Sequence, residues 1–399
     1  MFNPSLIGSS VLERRQMGIR PSNPEFLTPL IEKIKRSLPV AVVHGGNRNA
    51  AGAVIQRTRN PRSEKDYVAV ATDIANALRR LGFEQVHLIP EDMRMAGALK
   101  ELNVGLVWLN SGGTQGFSST CHAPSIMELC GVPYIGHNPM NAALLDNKHC
   151  FKYALNGLHI NTPEFVVCDF KNPMQIADVS DRFDAIFSGC RYLVVKPVSG
   201  RASLNVYRAH GKKEALDIAK SVHEETGNLV LIERFMSGDE YTIAVNGPCV
   251  SVNRKLIERD SLFAFSAIRR VMGDNEPIFT SMDVRPIGPD RCQILDPGLD
   301  SGIVDALASI AGKVYMGFNL GTMVRVDIRS DEDGRLFVLE ANPKPDLKKP
   351  SATGFSFVSA GLHKFGMDYD DLILSILVDR VHVLLSRHKD MIPQIVELL

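Results

Sequence analysis

The chain has 399 residues with 45 lysines and arginines against 45 aspartates and glutamates, and 45 % of its residues are hydrophobic. This composition is typical of globular proteins and excludes a disordered or fibrous chain. The balanced charge gives no basic field for a nucleic-acid backbone, so we expect no nucleic-acid partner. No apolar run reaches the roughly 18 residues of a membrane helix. The seven scattered cysteines form no CxxC pair, and together these features favour a cytoplasmic protein without membrane association.

Prolines and mixed polar residues open the chain, and we expect residues 1–38 to form an appended N-terminal arm. Residues 39–140 then alternate short apolar runs, at 40–43 and 104–109, with a helical pattern of apolar residues between 68 and 81. Alternating strands and helices predict a parallel sheet with helices on both faces. We therefore expect an N-terminal α/β domain over this segment.

The sequence pattern changes after the first 140 residues. Residues 141–235 combine short strand-like runs with a helix between 213 and 225, which indicates a small α+β domain. Residues 236–399 contain further strands and form the expected C-terminal domain. Within it, residues 256–283 are rich in Arg, Asp and Ser and have little periodicity, so we expect a mobile loop there.

The most informative segment is 323–342, MVRVDIRSDEDGRLFVLEAN, in which two strand patterns flank a polar turn. In the expected hairpin Arg325 lies opposite Glu340, Asp327 sits diagonal to it, and Asn342 follows on the same face. Carboxylate and amide oxygens are suitable Mg²⁺ ligands, and the arginine can offset charge on a transferred phosphoryl group. Spacing alone favours a surface hairpin carrying an ordinary Arg–Glu pair.

Two further segments carry weaker signals. Lys196 ends the apolar strand LVVKP, and the small-residue loop that follows includes Ser203. A lysine beside exposed loop amides can hold phosphate oxygens. Taken alone, the segment is better explained by a solvated lysine at a strand end. In LVLIERFMSGDEYT an apolar strand runs into Glu233 and a turn at Gly238.

In chain order, VVKP with its loop, LIERF with GDEYT, and VRVD followed by LEAN resemble the ATP-grasp superfamily, specifically the carboxylate–amine ligases similar to D-alanine–D-alanine ligase. The resemblance covers about residues 40–365 and includes Pro133-Tyr134-Ile135-Gly136 and Asn147-Lys148, with Lys152 four residues on. It implies a three-domain ATP-grasp fold with ATP between the central and C-terminal domains. It also implies that a carboxylate and ATP give an acyl phosphate, which an amine attacks to form an amide, with small-molecule substrates and Mg²⁺ as the metal.

The resemblance also assigns residues. The nucleotide-binding set it implies is Lys148, Lys196, Ser203, Glu233, Arg234, Phe235, Glu240 and Lys255. In that set the lysines hold phosphates, residues 233–235 line the adenine, and Glu240 binds the ribose. The metal set it implies is Asp327, Glu340 and Asn342, and the catalytic set is Arg325 for the acyl-phosphate step and Ser351 for the acceptor carboxylate.

The chain departs from the family pattern near the substrates. No tyrosine occurs between Tyr241 and Tyr315, so the loop tyrosine of D-alanine ligases is missing, and Asp346 replaces a family glycine. We therefore expect an amino-acid substrate larger or more polar than D-alanine. The alternatives are D-alanine–D-alanine ligation itself and, in another class, a catalytically silent ATP-binding sensor or scaffold. A homodimer is a further expectation from the family.

Overall fold

A computed structural model describes residues 23–45, 67–116, 118–200, 203–273, 288–351 and 355–399. The helices are α1 Pro24–Ser37, α2 Val68–Arg80, α3 Met95–Glu101, α4 His122–Cys130, α5 Pro139–Asp146, α6 Lys148–Gly157, α7 Pro173–Ile186, α8 Gly211–Thr226, α9 Ser301–Gly317, α10 Tyr369–Arg387 and α11 Pro393–Val396. The first eight strands are β1 Val40–Gly45, β2 Val86–Glu91, β3 Leu106–Leu109, β4 Tyr134–Ile135, β5 Phe165–Cys168, β6 Tyr192–Pro197, β7 Tyr207–His210 and β8 Val230–Arg234. The last eight are β9 Glu240–Asn246, β10 Cys249–Val252, β11 Lys255–Glu258, β12 Phe263–Ala264, β13 Ile268–Arg270, β14 Cys292–Ile294, β15 Val324–Ser330 and β16 Leu336–Asn342. Within these described ranges, no helix combines the length and the apolar character needed to cross a bilayer.

The N-terminal sheet is parallel, as its alternating pattern predicts. Its strand order is β2-β1-β3-β4, and every neighbouring pair runs in the same direction. Val70, Ile74 and Leu78 recur at helical spacing on α2 and are fully or almost fully buried. The carboxyl ends of all four strands therefore meet at one edge of the sheet.

Helix α1, the last part of the segment predicted to form an N-terminal arm, packs into the core of the molecule. Leu27, Leu30, Ile31 and Ile34 lie on one face of the helix and are at most 3 % exposed. They join the apolar cluster that contains residues of β1, α2 and α10. The same spacing that predicted a helix here also marks a buried face. Residues 1–22 lie outside the described part of the chain.

The central sheet has the order β5-β8-β6-β7 with antiparallel pairing throughout. Helices α7 and α8 supply Val179, Phe183, Ala215 and Val222 to its core. This is the α+β arrangement expected for the middle of the chain. It places Lys196 on β6 directly beside β8, which carries Glu233.

The C-terminal sheet has the order β14-β13-β9-β15-β16, and β12 also pairs with β9. Helix α9 packs on it, and so do α5 and α6 through Leu145, Phe151 and Leu155. The first helices of the segment 141–235 therefore share a core with the C-terminal sheet. The domain limits stay a prediction, because the cores overlap the limits drawn from sequence.

The segment 256–283 is more regular than expected. It contains most of β11 and all of β12 and β13, and the last two pair with β9. These strands are two to four residues long, too short to show a period-two pattern in the sequence. Residues 274–283 lie outside the described part of the chain, so the predicted mobility is not tested there.

Candidate active site

A cavity with about 80 Å³ of accessible space opens between the central and C-terminal sheets. Five cationic and four anionic side chains line it, together with apolar residues such as Val194, Phe235, Met236 and Leu339. The charged residues are Lys148, Lys196, Arg234, Arg270, Arg329, Glu233, Glu240, Asp327 and Glu340. Ser203 also lies on its wall. Its mixture of apolar walls with convergent charges is typical of a ligand site.

The hairpin β15–β16 forms as predicted, but its register differs from the expected one. Asp327 lies directly opposite Glu340, and Arg325 lies opposite Asn342. The prediction paired Arg325 with Glu340, and it was wrong for two reasons. The turn is centred on Asp333 and not between Glu332 and Asp333, and the register shifts by one further residue between Asp327 and Ile328, which leaves Leu339 as an extra residue on β16. A β-bulge of this kind cannot be read from a period-two pattern.

Register also explains how strands far apart in sequence build one charged row. Glu240 on β9 lies between Arg270 on β13 and Arg329 on β15. Its carboxylate forms ion pairs with Arg270 and, at 3.3 Å, with Arg329. Arg270 also pairs with Asp327, with 2.9 Å between Nη2 and Oδ2. Arg270 thus links Glu240, which the family resemblance assigns to the ribose, with Asp327, which it assigns to the metal.

Asp327 is 3 % exposed and is held from three sides. Besides Arg270, the Arg325 Nε lies 3.1 Å from its Oδ1, and the Thr242 hydroxyl donates to the same oxygen at 2.7 Å. Burial on its own would raise the pKa of this carboxyl. Arg270 and Arg325 lower the pKa by more than burial raises it, so the pKa lies well below its usual range. Asp327 therefore remains an anion at neutral pH.

Glu340 and Asn342 complete a donor set that fits Mg²⁺. The side chain of Glu340 is 32 % exposed and lies 3.3 Å from Lys148 Nζ. The Nδ2 of Asn342 is buried and has no hydrogen-bond partner among the described residues. No group of three or more His, Cys, Asp or Glu side chains suited to a metal occurs in that part of the chain. The set is two carboxylates and an amide, which suits Mg²⁺ because this ion is commonly held by one or two carboxylates together with substrate phosphates.

A buried cluster of two lysines and one carboxylate lies at the floor of the cavity. Glu233 is 2 % exposed and forms ion pairs with Lys196 at 2.5 Å and Lys152 at 2.9 Å. Burial would raise the pKa of Glu233, but the two lysines together lower this pKa by more than burial raises it. Glu233 therefore stays ionised. Burial lowers the pKa of Lys152 to about 8. Lys152 also donates to Thr162, so this lysine belongs to the framework beneath the site.

The phosphate-side lysine Lys148 stands at the start of α6. Asn147 caps that helix by accepting from the backbone N–H of Cys150. Lys148 Nζ then donates to the carbonyl of Gly200 at 2.9 Å, in the loop after β6. The cap and this contact hold the ammonium over the small-residue loop that leads to Ser203.

Four of the predicted site residues do not line this cavity. Arg325 and Asn342 face each other on the hairpin beside it, while Lys255 and Ser351 lie on other segments. Lys255 is an exposed residue of the β10–β11 hairpin, which packs against the core near α10 through Val252, Leu256 and Ile257. The family resemblance implied a phosphate contact for Lys255, but the hairpin carries Lys255 to another surface. Arg270 provides a cation in the cavity instead. Ser351 is exposed and is not on the cavity wall either.

The fold and this site define an ATP-grasp enzyme. Residues 155–378, more than half of the chain, match the family model "D-ala D-ala ligase C-terminus". The chain belongs to this family, and the resemblance seen in the sequence motifs is confirmed. It is an ATP-dependent carboxylate–amine ligase that acts on small molecules, with ATP and Mg²⁺ as cofactors.

Individual relatives agree with this assignment. A D-alanine–D-alanine ligase of Pseudomonas putida is 24 % identical over 309 residues, covering 77 % of this chain and 86 % of the relative. The fold is similar to that of D-alanine–D-alanine ligase from Bacillus anthracis in complex with ATP, with a TM-score of 0.62, 18 % identity and coverage of 89 % and 100 %. It is also similar to the VanG D-Ala:D-Ser ligase from Enterococcus faecalis, with a TM-score of 0.60, 16 % identity and coverage of 85 % and 98 %.

Proposed function

We propose that the cavity between the central and C-terminal sheets is the site where this ligase binds ATP and activates its carboxylate substrate. The observation that carries the proposal is the pairing of Asp327 with Glu340 at a wall that also presents Lys148 and Lys196. Arg270 and Arg325 already lie beside Asp327, and Lys148 lies beside Glu340, so this wall is built to hold charge of both signs. Lys148 and Lys196 are suited to hold the phosphates that a bound Mg²⁺ would accompany.

Each residue then has a role that follows from its position. Lys148 and Lys196 hold phosphate oxygens as point charges, and the backbone amides of the loop that contains Ser203 add donors. Phe235, with Met236 and Val194, provides the apolar wall for the adenine, while Arg234 and Glu233 lie at its edge. Glu240 faces the ribose and is held in place by its two arginines.

The metal and the reaction centre lie on the hairpin. Asp327, Glu340 and Asn342 would hold Mg²⁺, which would neutralise charge on the phosphates. When bound, ATP supplies the phosphoryl group that turns the substrate carboxylate into an acyl phosphate. Arg325, fixed by its two contacts to Asp327, stabilises the charge on the transferred group. Arg270, beside Asp327 and Glu240, supplies a further cation at the same place.

The substrate is proposed to be an amino acid larger or more polar than D-alanine. The absent loop tyrosine and the replacement of glycine by Asp346 support this proposal. The carboxylate of Asp346 lies 3.4 Å from Lys348 Nζ, so a substrate at this point would meet both charges. Phe263 and Phe265, which the loop offers in place of the tyrosine, are buried in the core and pack edge to face.

D-Alanine–D-alanine ligation is the second candidate, and the names of the curated relatives favour it. ADP release measured with each member of a panel of D- and L-amino acids, singly and in pairs, separates the two. A clear preference for D-alanine alone would establish the second candidate. A silent ATP-binding protein would bind ATP, but none of the acids would stimulate ADP release. The retained Lys196, Arg325, Asp327 and Glu340 count against this alternative.

We further propose that the enzyme works in the cytoplasm as a homodimer without a nucleic-acid partner. The balanced charge and the family resemblance support these points. Sedimentation velocity at micromolar concentration tests the dimer, and a single species of 43.9 kDa would refute it.

A further inference from the structure

The two arginines that contact Asp327 also lie over one aromatic ring, that of Phe357. The guanidinium carbon of Arg270 is 4.9 Å from the centroid of this ring, and that of Arg325 is 5.6 Å from it. Cations within about 6 Å of a ring centroid are attracted by the negative potential of the ring face. Phe357, which lies 15 residues beyond the end of β16, therefore returns to the charged row of the active site.

The contacts of Arg325 show what the ring adds. Its Nε and Nη2 donate to the two carboxylate oxygens of Asp327, at 3.1 and 3.2 Å. These contacts hold one edge of the planar guanidinium, and Nη1 has no hydrogen-bond partner among the described residues. A plane held along one edge can still tilt about that edge, and a ring beside the guanidinium carbon restricts the tilt. Asp327 and Phe357 together therefore set the direction in which Nη1 points.

The ring also lies where two like charges meet. Arg270 Nη2 is 2.9 Å from Asp327 Oδ2, the oxygen that Arg325 Nη2 contacts at 3.2 Å. One carboxylate thus faces two guanidinium groups, and a second, Glu240, pairs with Arg270 only. An aromatic face offsets part of the remaining repulsion without adding a carboxylate, which would repel the phosphates of ATP.

A small apolar cluster fixes the position of Phe357. Its centre is formed by Phe357, which is 8 % exposed, and by the fully buried Ile268 of β13. The residues packed around these two are Met272, Cys292, Ile294, Phe355 and Ala360. The ring of Phe355 meets that of Phe357 edge to face, with 6.0 Å between the centroids. Because β13 carries both Ile268 and Arg270, the cluster ties the ring to one of the two arginines.

We propose that Phe357 is a positioning residue for the ligase reaction, which holds the guanidinium of Arg325 toward the transferred phosphoryl group through a cation–π contact. Phe357 acts through Arg325 and not on the substrate. This inference rests on the role that the proposed function gives to Arg325.

The first test removes the ring face and keeps an apolar side chain in the cluster. Phe357→Leu should lower kcat by about tenfold with the KM for ATP nearly unchanged, because a cation–π contact shielded from water is worth about that factor. Phe355→Leu is the matched control, since it removes the neighbouring ring of the same cluster, which has no cation over it among the described residues. Its kcat should stay within about twofold of the wild type. Equal losses of kcat in the two variants would overturn the proposal.

Fluorination of the ring separates a cation–π contact from packing. Fluorine atoms withdraw charge from the ring face and change its shape little, so a ring with one, two or three fluorines at residue 357 attracts a cation progressively less. We expect log kcat to fall in step with the number of fluorines while Tm stays close to that of the wild type. If Phe357 only fills the apolar cluster, kcat stays constant across the series. That result would overturn the proposal.

A second readout needs no turnover and separates this inference from the proposed function. In protein labelled with ¹⁵N-arginine, the Nε–H resonance of Arg325, assigned by its loss in Arg325→Lys, should shift in Phe357→Leu, because the ring current is removed, and not in Phe355→Leu. No shift in Phe357→Leu would refute the contact and with it the role of Phe357. A shift together with a normal kcat in Arg325→Lys would instead refute the role of Arg325 in the proposed function.

Discussion

Asp327 and Glu340 are direct partners across the β15–β16 hairpin, and the extra residue Leu339 gives them that register. Without it, the side chains that follow along β16 would be displaced by one residue and would point to the other face of the sheet. The bulge therefore places Glu340 and Asn342 on the face that carries Arg325 and Asp327. This relationship is the structural basis of the proposed metal site.

The first prediction concerns the metal. Glu340→Gln should lower kcat by about 100-fold or more and raise the Mg²⁺ concentration needed for activity, because one anionic ligand is lost. The side chain is partly exposed, so Tm should change little. ADP release measured over a range of Mg²⁺ concentrations tests this.

The control for the metal prediction is Asp333→Asn, which changes an exposed carboxylate in the turn of the same hairpin. Its activity should stay near that of the wild type. If Glu340→Gln behaves like the control, Glu340 does not hold the metal.

The second prediction separates two lysines that the sequence assigned to the nucleotide. Lys196→Ala should weaken ATP binding by about tenfold or more, since a charge facing the phosphates is lost. Lys255→Ala should leave ATP affinity unchanged, because Lys255 lies on the exposed β11 strand. Calorimetric Kd values for ATP, measured for both variants, test this difference. An equal loss of ATP affinity in the two variants would show that the cavity is not the nucleotide site.

The third prediction concerns the arginine at the reaction centre. Arg325→Lys keeps the positive charge but loses the two-pronged contact with Asp327. We expect kcat to fall by about 100-fold with the KM for ATP nearly unchanged, because the interaction acts mainly on the transition state. Arg335→Lys, an exposed arginine of the same hairpin, serves as the control. A rise in the KM for ATP at normal kcat would make Arg325 a nucleotide-binding residue instead.

The fourth prediction is a pH dependence of stability that comes from His137. Its pKa is lowered from 6.5 to about 4 in the folded state by burial. Between these pH values the unfolded chain takes up a proton that the folded protein does not, so the free energy of unfolding falls as the pH drops from 6.5 to 4. The contribution is about 3 kcal/mol over the whole window.

Urea unfolding at several pH values, for the wild type and His137→Gln, measures this contribution as a difference. The wild type should lose more stability than the variant between pH 7 and pH 4. Parallel curves for the two proteins would show that the ring of His137 is protonated in the folded state as readily as in the unfolded chain.

The sequence predicted the hairpin and its functional residues but could not predict the row of charges they join. Arg270 and Glu240 meet because β13 pairs with β9, and Asp327 meets Thr242 because β9 pairs with β15. Strand pairing between distant segments leaves no periodic signal in either strand. For the same reason, residues 24–37 showed a helical pattern without showing that α10 packs in the same core.

The central claim is that the chain joins a carboxylate to an amine through an acyl phosphate. The most direct measurement uses the best acid from the amino-acid panel, labelled with ¹⁸O in its carboxylate, with ATP, Mg²⁺ and the amine partner. Our account predicts that each phosphate released carries one ¹⁸O from the acid, since the acyl-phosphate oxygen leaves with the phosphate when the amine attacks. Unlabelled phosphate, released at the same rate without the acid, would contradict it.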